Sequence, residues 1–201
     1  MREPFADYVE REYGPDPLLI ACGLPATNKT ETMEVVARLK GYTILRTDMI
    51  RREVLAGEDI FDEKVASSME KRERVYDEMF RRAGEIVAGG TGVILDATFV
   101  TRDLRKRAAA VAADHGKVFM IQQTRCTEEY SLNKISKRTK ENYESNALSA
   151  QAYFNNKEKF EEVDLDDLKR RFPALHIVHL TVDTNSDLEE DWHVVDREDR
   201  R

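Results

Sequence analysis

Short apolar runs alternate along the chain with longer segments whose apolar positions recur at helical spacing. The short runs predict buried strands at residues 18–22, 42–46, 92–96, 117–123 and 174–182. Between them, the 3.6-residue period predicts helices at about 29–39, 49–56, 62–88, 102–114, 128–140 and 147–163. Parallel strands that alternate with helices are joined by crossover connections, so we expect an α/β fold with a mainly parallel five-stranded sheet and helices on both faces.

The composition is that of one globular domain with charged surface helices. Of 201 residues, 41% are hydrophobic and 35% are charged, and the mean hydropathy is −0.60. We predict a single domain over residues 1–182. Residues 183–201 are acidic and polar, with one tryptophan, Trp192, and we interpret them as a loosely attached C-terminal tail.

Charge and cysteine content narrow the function classes. The formal net charge of −7 argues against binding polyanions by overall charge, although a local basic cleft is compatible with it. Cys22 and Cys126 form no CxxC pair or His/Cys cluster, so we expect two reduced, buried thiols, no zinc, and a cytoplasmic location. No apolar run approaches the roughly 20 residues of a membrane span, and the charged N-terminus is unlike a signal peptide.

The segment GLPATNKT follows the first predicted strand and opens the first predicted helix. It matches the phosphate-loop pattern G-x-x-x-x-G-K-[ST] at all but one of its fixed positions. Backbone N–H groups of such a loop surround a phosphate, the lysine reaches the terminal phosphates, and the hydroxyl holds Mg²⁺. We therefore predict binding of ATP or GTP with Mg²⁺ by Gly23, Leu24, Pro25, Ala26, Thr27, Asn28, Lys29 and Thr30.

The departure from the pattern is Asn28, which replaces the second glycine. Glycine there often supplies a positive φ, and asparagine is the replacement that the left-handed region penalises least. The asparagine side chain could nevertheless crowd the phosphates. A strand-to-helix turn with an incidental Lys-Thr pair, or a degenerate loop that binds nothing, are the alternatives.

The segment RTDMIRR follows the second predicted strand. Asp48 and Arg51 are three residues apart and share a helical face at the edge of the sheet where α/β proteins bind ligands. A carboxylate there can accept the proton of an acceptor hydroxyl, and an arginine can hold an anionic group of the acceptor or the transferred phosphoryl. A surface ion pair is the plainer interpretation.

Asp96 ends the third predicted strand, in GVILDATF. It can bind Mg²⁺ through water or bind the acceptor, or it can only cap the next turn. Arg102 and Arg105 open the following helix and either reach an acceptor phosphate or are solvated. Further along, KISKRTK carries Lys134, Lys137 and Arg138, which fit either a solvated face or a mobile lid that closes on the phosphates.

Together these motifs resemble the group of predicted P-loop kinases that includes the kinase domain of polynucleotide kinase. The similar segments are GLPATNKT, TDMIR, VYDEMFRRAGEIVAGGTGVILDATF and ISKRTKENYESNALSAQAYFNNKEKFEEVD, and they cover roughly residues 17–165. Zeta toxins and chloramphenicol phosphotransferase are more distant relatives. The resemblance implies a three-layer P-loop fold with five parallel strands in the order 2-3-1-4-5 and a helical lid at about 127–146.

The resemblance also implies roles for individual residues. Lys29 and Thr30 would bind nucleotide phosphates and Mg²⁺, Asp48 would be the general base, and Arg51 would be its partner on the acceptor side. Arg138 would be the lid arginine that closes on the phosphates of ATP. The catalytic residues are then Lys29, Asp48 and Arg138.

The leading hypothesis is ATP-dependent transfer of the γ-phosphoryl group to a hydroxyl of a small molecule or nucleotide. The first alternative is a 5′-hydroxyl kinase of nucleic acid, which the resemblance favours and the net charge does not. A non-catalytic nucleotide-binding module is the second, motivated by Asn28, and a protein with an empty loop is the third.

Overall fold

The computed structural model describes residues 1–60, 65, 68–138 and 149–201, which form one seven-stranded sheet flanked by helices. The strands are β1 (Glu3–Pro4), β2 (Leu18–Cys22), β3 (Thr43–Arg46), β4 (Val93–Asp96), β5 (Phe119–Arg125), β6 (Ile177–Asp183) and β7 (His193–Arg200). Within the described ranges the α-helices are α1 (Phe5–Glu12), α2 (Lys29–Lys40), α3 (Thr47–Val54), α4 (Met69–Ala88), α5 (Arg102–Asp114), α6 (Glu128–Ser136), α7 (Ala150–Lys159) and α8 (Leu165–Arg171).

The sheet order confirms the expected P-loop topology. The strands lie in the order β1-β7-β6-β5-β2-β4-β3, and β3, β4, β2, β5 and β6 are parallel. Taken alone, these five strands have the predicted order 2-3-1-4-5. The sheet has seven strands rather than five because β1 and β7 extend it with antiparallel pairs.

Every residue of the central strand β2 is buried, because helices cover both faces of the sheet. Leu18, Ile20 and Cys22 pack against α4 and α5 on one face. Leu19 and Ala21, which alternate with them, pack against α1 and α2 on the other. This alternation leaves only the ends of the strands open to ligand.

The interpretation of residues 183–201 as a loosely attached tail is wrong. The segment His193–Arg200 pairs with β6 over seven positions, and Val194 is fully buried. Trp192 is 4% exposed and stacks edge-on against Phe5 of α1, with ring centroids 6.3 Å apart. The segment therefore closes the sheet and belongs to its core.

Several predicted helix boundaries move. The helix predicted over 62–88 begins at Met69 in the described part, and residues 61–64 and 66–67 lie outside it. In the described part, the helix predicted over 147–163 is only α7, and sequence analysis missed α1 and α8. Of the lid predicted at about 127–146, the structure describes only the portion up to residue 138, which includes α6.

Candidate active site

The phosphate loop, residues 23–28, connects β2 to α2 with an unusual backbone. Gly23 has a φ of 136°, and a Cβ atom there would lie 2.7 Å from the carbonyl oxygen of Thr124, so only glycine fits. Ala26 and Asn28 also have positive φ, at 60° and 56°. Asn28 therefore occupies the left-handed conformation that a glycine would supply, as expected from its short polar side chain.

The Asn28 side chain is 2% exposed, and other parts of the chain bind its polar atoms. Its Nδ2 lies 2.9 Å from the carbonyl oxygens of Thr184 and Ser186 and 3.0 Å from the Tyr130 hydroxyl, so its two N–H groups are shared among three acceptors. Its Oδ1 accepts a hydrogen bond from Lys134 Nζ. Both polar atoms of the side chain therefore have partners, which lie in the segment after β6 and on α6.

Lys29, the first residue of α2, directs its Nζ into the loop and donates to Leu24 O at 2.5 Å. Burial lowers the pKa of Lys29 to about 8, although the negative charge of Asp96 opposes that shift. Lys29 as a whole is half-buried, and its amine lies within the loop. A bound phosphate would give the buried ammonium group an anionic partner and so favour its protonated form.

Thr30 and Asp96 form the second feature of the site. Thr30 Oγ1 donates to Asp96 Oδ2 at 2.7 Å, and Asp96 is 7% exposed at the end of β4. Burial raises the pKa of the Asp96 carboxyl, while the Thr30 hydrogen bond works in the opposite direction. A hydroxyl beside a carboxylate suits Mg²⁺, which takes one or two protein oxygens and completes its shell with water and phosphate.

Asp48 lies in the first turn of α3, at the same edge of the sheet. Its Oδ1 accepts from the backbone N–H of Met49 at 2.9 Å, and its Oδ2 lies 3.3 Å from Nη2 of Arg46. The Arg46 Nε is 3.9 Å from Asp96 Oδ2, so this arginine bridges the two carboxylates. Sequence reasoning missed Arg46, although its place directly before Thr47-Asp48 at a strand end was the available signal.

Arg51 lies one turn beyond Asp48 and is partly buried against α4. Burial lowers the pKa of Arg51, and the nearby positive charge of Arg72 adds to that shift, while Asp48 opposes it. Among the described residues, Arg51 Nη1 is buried and has no hydrogen-bond partner. Asp48 and Arg51 lie on the same short helix, as their spacing predicts, but the structure pairs the Asp48 carboxylate with Arg46. The role of Arg51 on the acceptor side stays a prediction.

Arg105 does not belong to the site, contrary to its predicted role in acceptor binding. It is 1% exposed, and its guanidinium donates to the carbonyl oxygens of Phe99 at 2.9 Å and Glu161 at 2.5 Å. Arg105 therefore links the segment before α8 to the segment that follows β4 through hydrogen bonds. Arg102 is exposed and pairs with Asp164 at 3.4 Å, so it too is engaged with the protein.

Arg138 lies just beyond α6, where its backbone N–H donates to Ile135 O at 3.0 Å. Its positive charge is near enough to Lys29 to lower that residue's pKa further. Arg138 therefore lies near Lys29 of the phosphate loop, while its predicted role as a lid arginine stays a prediction. Residues 139–146 of the predicted lid lie outside the described residues.

Lys134, which sequence analysis left between a lid and a solvated face, ties α6 to the loop. Besides Asn28 it contacts Glu31 Oε1 at 2.8 Å. Burial tends to raise the pKa of Glu31, but the hydrogen bond and charge of Lys134 outweigh it and hold that pKa below the ordinary value. The positive charge of Lys134 thereby balances the negative charge of Glu31 in the first turn of α2.

The two cysteines are free thiols, and Cys22 is buried while Cys126 is partly so. In the described ranges, no cluster of three or more His, Cys, Asp or Glu residues is arranged to hold a metal ion. None of the helices described there is both long and apolar enough to cross a membrane.

Comparison with known proteins identifies a matching family and several relatives. Residues 18–172 match the family described as an AAA domain. Uncharacterised proteins of Mycobacterium tuberculosis and Mycobacterium bovis are 29% identical over 140 residues, a match that covers 67% of this chain. The chain spans only 28% of the length of these relatives.

Solved structures with a similar fold include kinases. A sugar kinase from Janibacter sp. has a TM-score of 0.61 at 13% identity, covering 85% of this chain and 86% of its own. A gluconokinase from Sinorhizobium meliloti has a TM-score of 0.56 at 15% identity, covering 86% and 84%. A putative kinase from Chloroflexus aurantiacus has a TM-score of 0.58 at 19% identity, covering 86% and 90%.

These likenesses agree with the α/β fold described above. The chain belongs to the AAA domain family and has the P-loop fold of these kinases.

Proposed function

We propose that this chain transfers the γ-phosphoryl group of ATP, with Mg²⁺, to a hydroxyl of a small molecule. The observation that carries the proposal is the convergence of Lys29, the Thr30–Asp96 pair and Asp48 at the ends of β2, β4 and β3. Phosphoryl transfer depends mainly on positioning and charge stabilisation, and these groups are of the types it uses. ATP is favoured over GTP only by the resemblance to ATP-dependent kinases.

The roles follow from where each side chain lies. The loop backbone and Lys29 hold the phosphates, and Thr30 and Asp96 would hold Mg²⁺, which neutralises charge on the β- and γ-phosphates when bound. Asp48, oriented by Arg46 and the Met49 N–H, accepts the proton of the acceptor hydroxyl. Arg138 adds positive charge beside Lys29 in the transition state.

A small acceptor fits the chain better than a polynucleotide. The net charge of −7 supplies no overall attraction for a polyanion, and Asp48 adds negative charge at the acceptor side. A 5′-hydroxyl kinase is the second candidate, because Arg51 provides a cation one turn from Asp48. Binding of a polynucleotide releases counterions, so a steep dependence of acceptor KM on salt would favour this second candidate.

The test is a kinase assay with ATP or GTP, Mg²⁺ and a panel of hydroxyl acceptors that includes sugars, nucleosides and a 5′-hydroxyl oligonucleotide. Lys29→Ala should abolish nucleotide binding, and Asp48→Asn should keep nucleotide binding but lower kcat by about 10²-fold or more. Lys159→Ala is the matched control, because Lys159 is exposed at the end of α7.

Three outcomes would overturn the proposal in different ways. Full transfer activity in Lys29→Ala would remove the loop from the reaction. Tight nucleotide binding by the intact protein, with no turnover on any acceptor, would favour a non-catalytic nucleotide-binding module. No binding of either nucleotide would mean that the loop is not functional.

A further inference from the structure

The Asn28 side chain makes more contacts than an asparagine needs in order to adopt a positive φ. Its amide nitrogen has three oxygen neighbours within 3.0 Å, and its amide oxygen is bound by Lys134. A glycine at this position would give the same backbone conformation with none of these bonds. The contacts therefore call for an explanation other than backbone tolerance.

Two partners of the Asn28 side chain, Thr184 and Ser186, lie in a turn, residues 184–187, between β6 and β7. Thr184 Oγ1 donates to Thr27 O at 2.9 Å, so the turn binds the loop at a second point. The indole of Trp192 holds the turn from behind, through Nε1 to Ser186 O at 2.9 Å. The turn is thus fixed to the core on one side and to the phosphate loop on the other.

The same asparagine also joins the loop to α6. Tyr130 of α6 lies between Asn28 and the turn, because its hydroxyl accepts from Asn28 and donates to Asp187 Oδ1 at 2.5 Å. Lys134, one turn later on α6, binds Asn28 and Glu31. Since α6 leads directly to Arg138, the loop and the beginning of the predicted lid share one polar network.

We propose that Asn28 is a positioning residue that couples the phosphate loop to the 184–187 turn and to α6, and so holds the loop ready for nucleotide. This inference rests on the proposed function, because it assumes that the loop binds nucleotide. The physical reason is that a loop which samples other conformations binds more weakly, in proportion to the fraction of molecules that are competent. A buried amide with all its partners fixes one conformation, whereas glycine leaves the backbone free.

The discriminating variant is Asn28→Gly, which restores the family's residue and removes the network. If Asn28 only stands in for glycine, this variant should bind ATP as well as the natural chain or better. If Asn28 positions the loop, we expect ATP affinity to fall by about tenfold. The KM for ATP should rise by a similar factor, while kcat at saturating ATP stays close to its original value.

Calorimetry with Mg²⁺-ATP should be combined with amide hydrogen exchange of the nucleotide-free protein. Exchange at residues 184–187 should accelerate in Asn28→Gly, because the turn loses the bonds from the Asn28 side chain to its carbonyl oxygens, while the Thr184–Thr27 bond remains. Tyr130→Phe removes one hydroxyl from the same network and should produce a smaller change in the same direction, even if the glycine variant folds poorly. Asn133→Ala, at an exposed position of α6, is the matched control and should change neither measurement.

The outcomes separate this inference from the proposed function. If the natural chain binds no nucleotide, the proposed function fails and the positioning role fails with it. If the natural chain binds ATP and Asn28→Gly binds it equally well, the positioning role is overturned while the proposed function stands. If Asn28→Gly binds weakly but exchange at 184–187 is unchanged, the coupling to the turn is overturned.

Discussion

The depressed pKa of Lys29 predicts that nucleotide affinity falls as the pH rises above 8. In the free protein, burial holds the pKa of Lys29 at about 8, against an ordinary value of 10.5. Bound phosphates would raise that pKa, because their negative charge favours the protonated amine. Binding therefore takes up a proton when the pH lies between the pKa of Lys29 in the free protein and its higher pKa in the complex. The affinity has its full value well below pH 8 and declines as the pH rises above 8.

The magnitude follows from proton linkage. The lysine is largely protonated at pH 7 and largely neutral at pH 9, so the apparent dissociation constant should rise by about tenfold over that interval. The terminal phosphate of ATP, with a second pKa near 6, is fully ionised in most of this range and contributes little to the slope. At pH 9, binding should take up close to one proton.

Calorimetry in two buffers that differ in ionisation enthalpy measures both the affinity and the proton uptake. Lys29→Arg is the appropriate comparison, because a guanidinium stays charged throughout this range and should give a nearly flat profile. An affinity that is constant from pH 7 to 9 would refute the reasoning. An equally steep decline in Lys29→Arg would assign the titration to another group.

Three further substitutions test other parts of the structure. Thr30→Val leaves a buried Asp96 oxygen without its donor, so urea denaturation should show a loss of about 1–3 kcal/mol, and an unchanged midpoint would contradict this pairing. Arg105→Met removes a buried clamp on Glu161 O and should cost roughly 3 kcal/mol with no change in acceptor KM, whereas a raised KM in a stable variant would restore the role predicted from sequence. Trp192→Ala should cost about 3–5 kcal/mol, and a loss below about 1 kcal/mol would support a loosely attached segment after all.

Much of the site could be predicted because its signals are local. The phosphate loop is read from eight consecutive residues, and Asp48 and Asp96 each follow a short apolar strand. The ends of parallel strands meet at one edge of a sheet, so strand-end residues come together even when they are distant in sequence. The left-handed conformation at Asn28 followed from the same local reasoning.

The rest depends on contacts that no local pattern reveals. Arg105 has the spacing of a solvated helical residue, yet the chain around Glu161 folds over it and supplies carbonyl partners. The strand His193–Arg200 is rich in charged residues, and Val194 is its one buried residue, so its sequence has the pattern of an exposed tail. Two partners of the Asn28 side chain, Thr184 and Ser186, lie 156 and 158 residues away in the chain.

That last separation has a consequence for how the molecule folds. Contacts between distant segments require closure of a long loop, and chains dominated by such contacts form them slowly. The bonds between Asn28 and Thr184 should therefore be absent from the folding transition state and appear only on the native side of it. Because nucleotide would stabilise only molecules in which those bonds have formed, it should slow unfolding and leave the refolding rate almost unchanged.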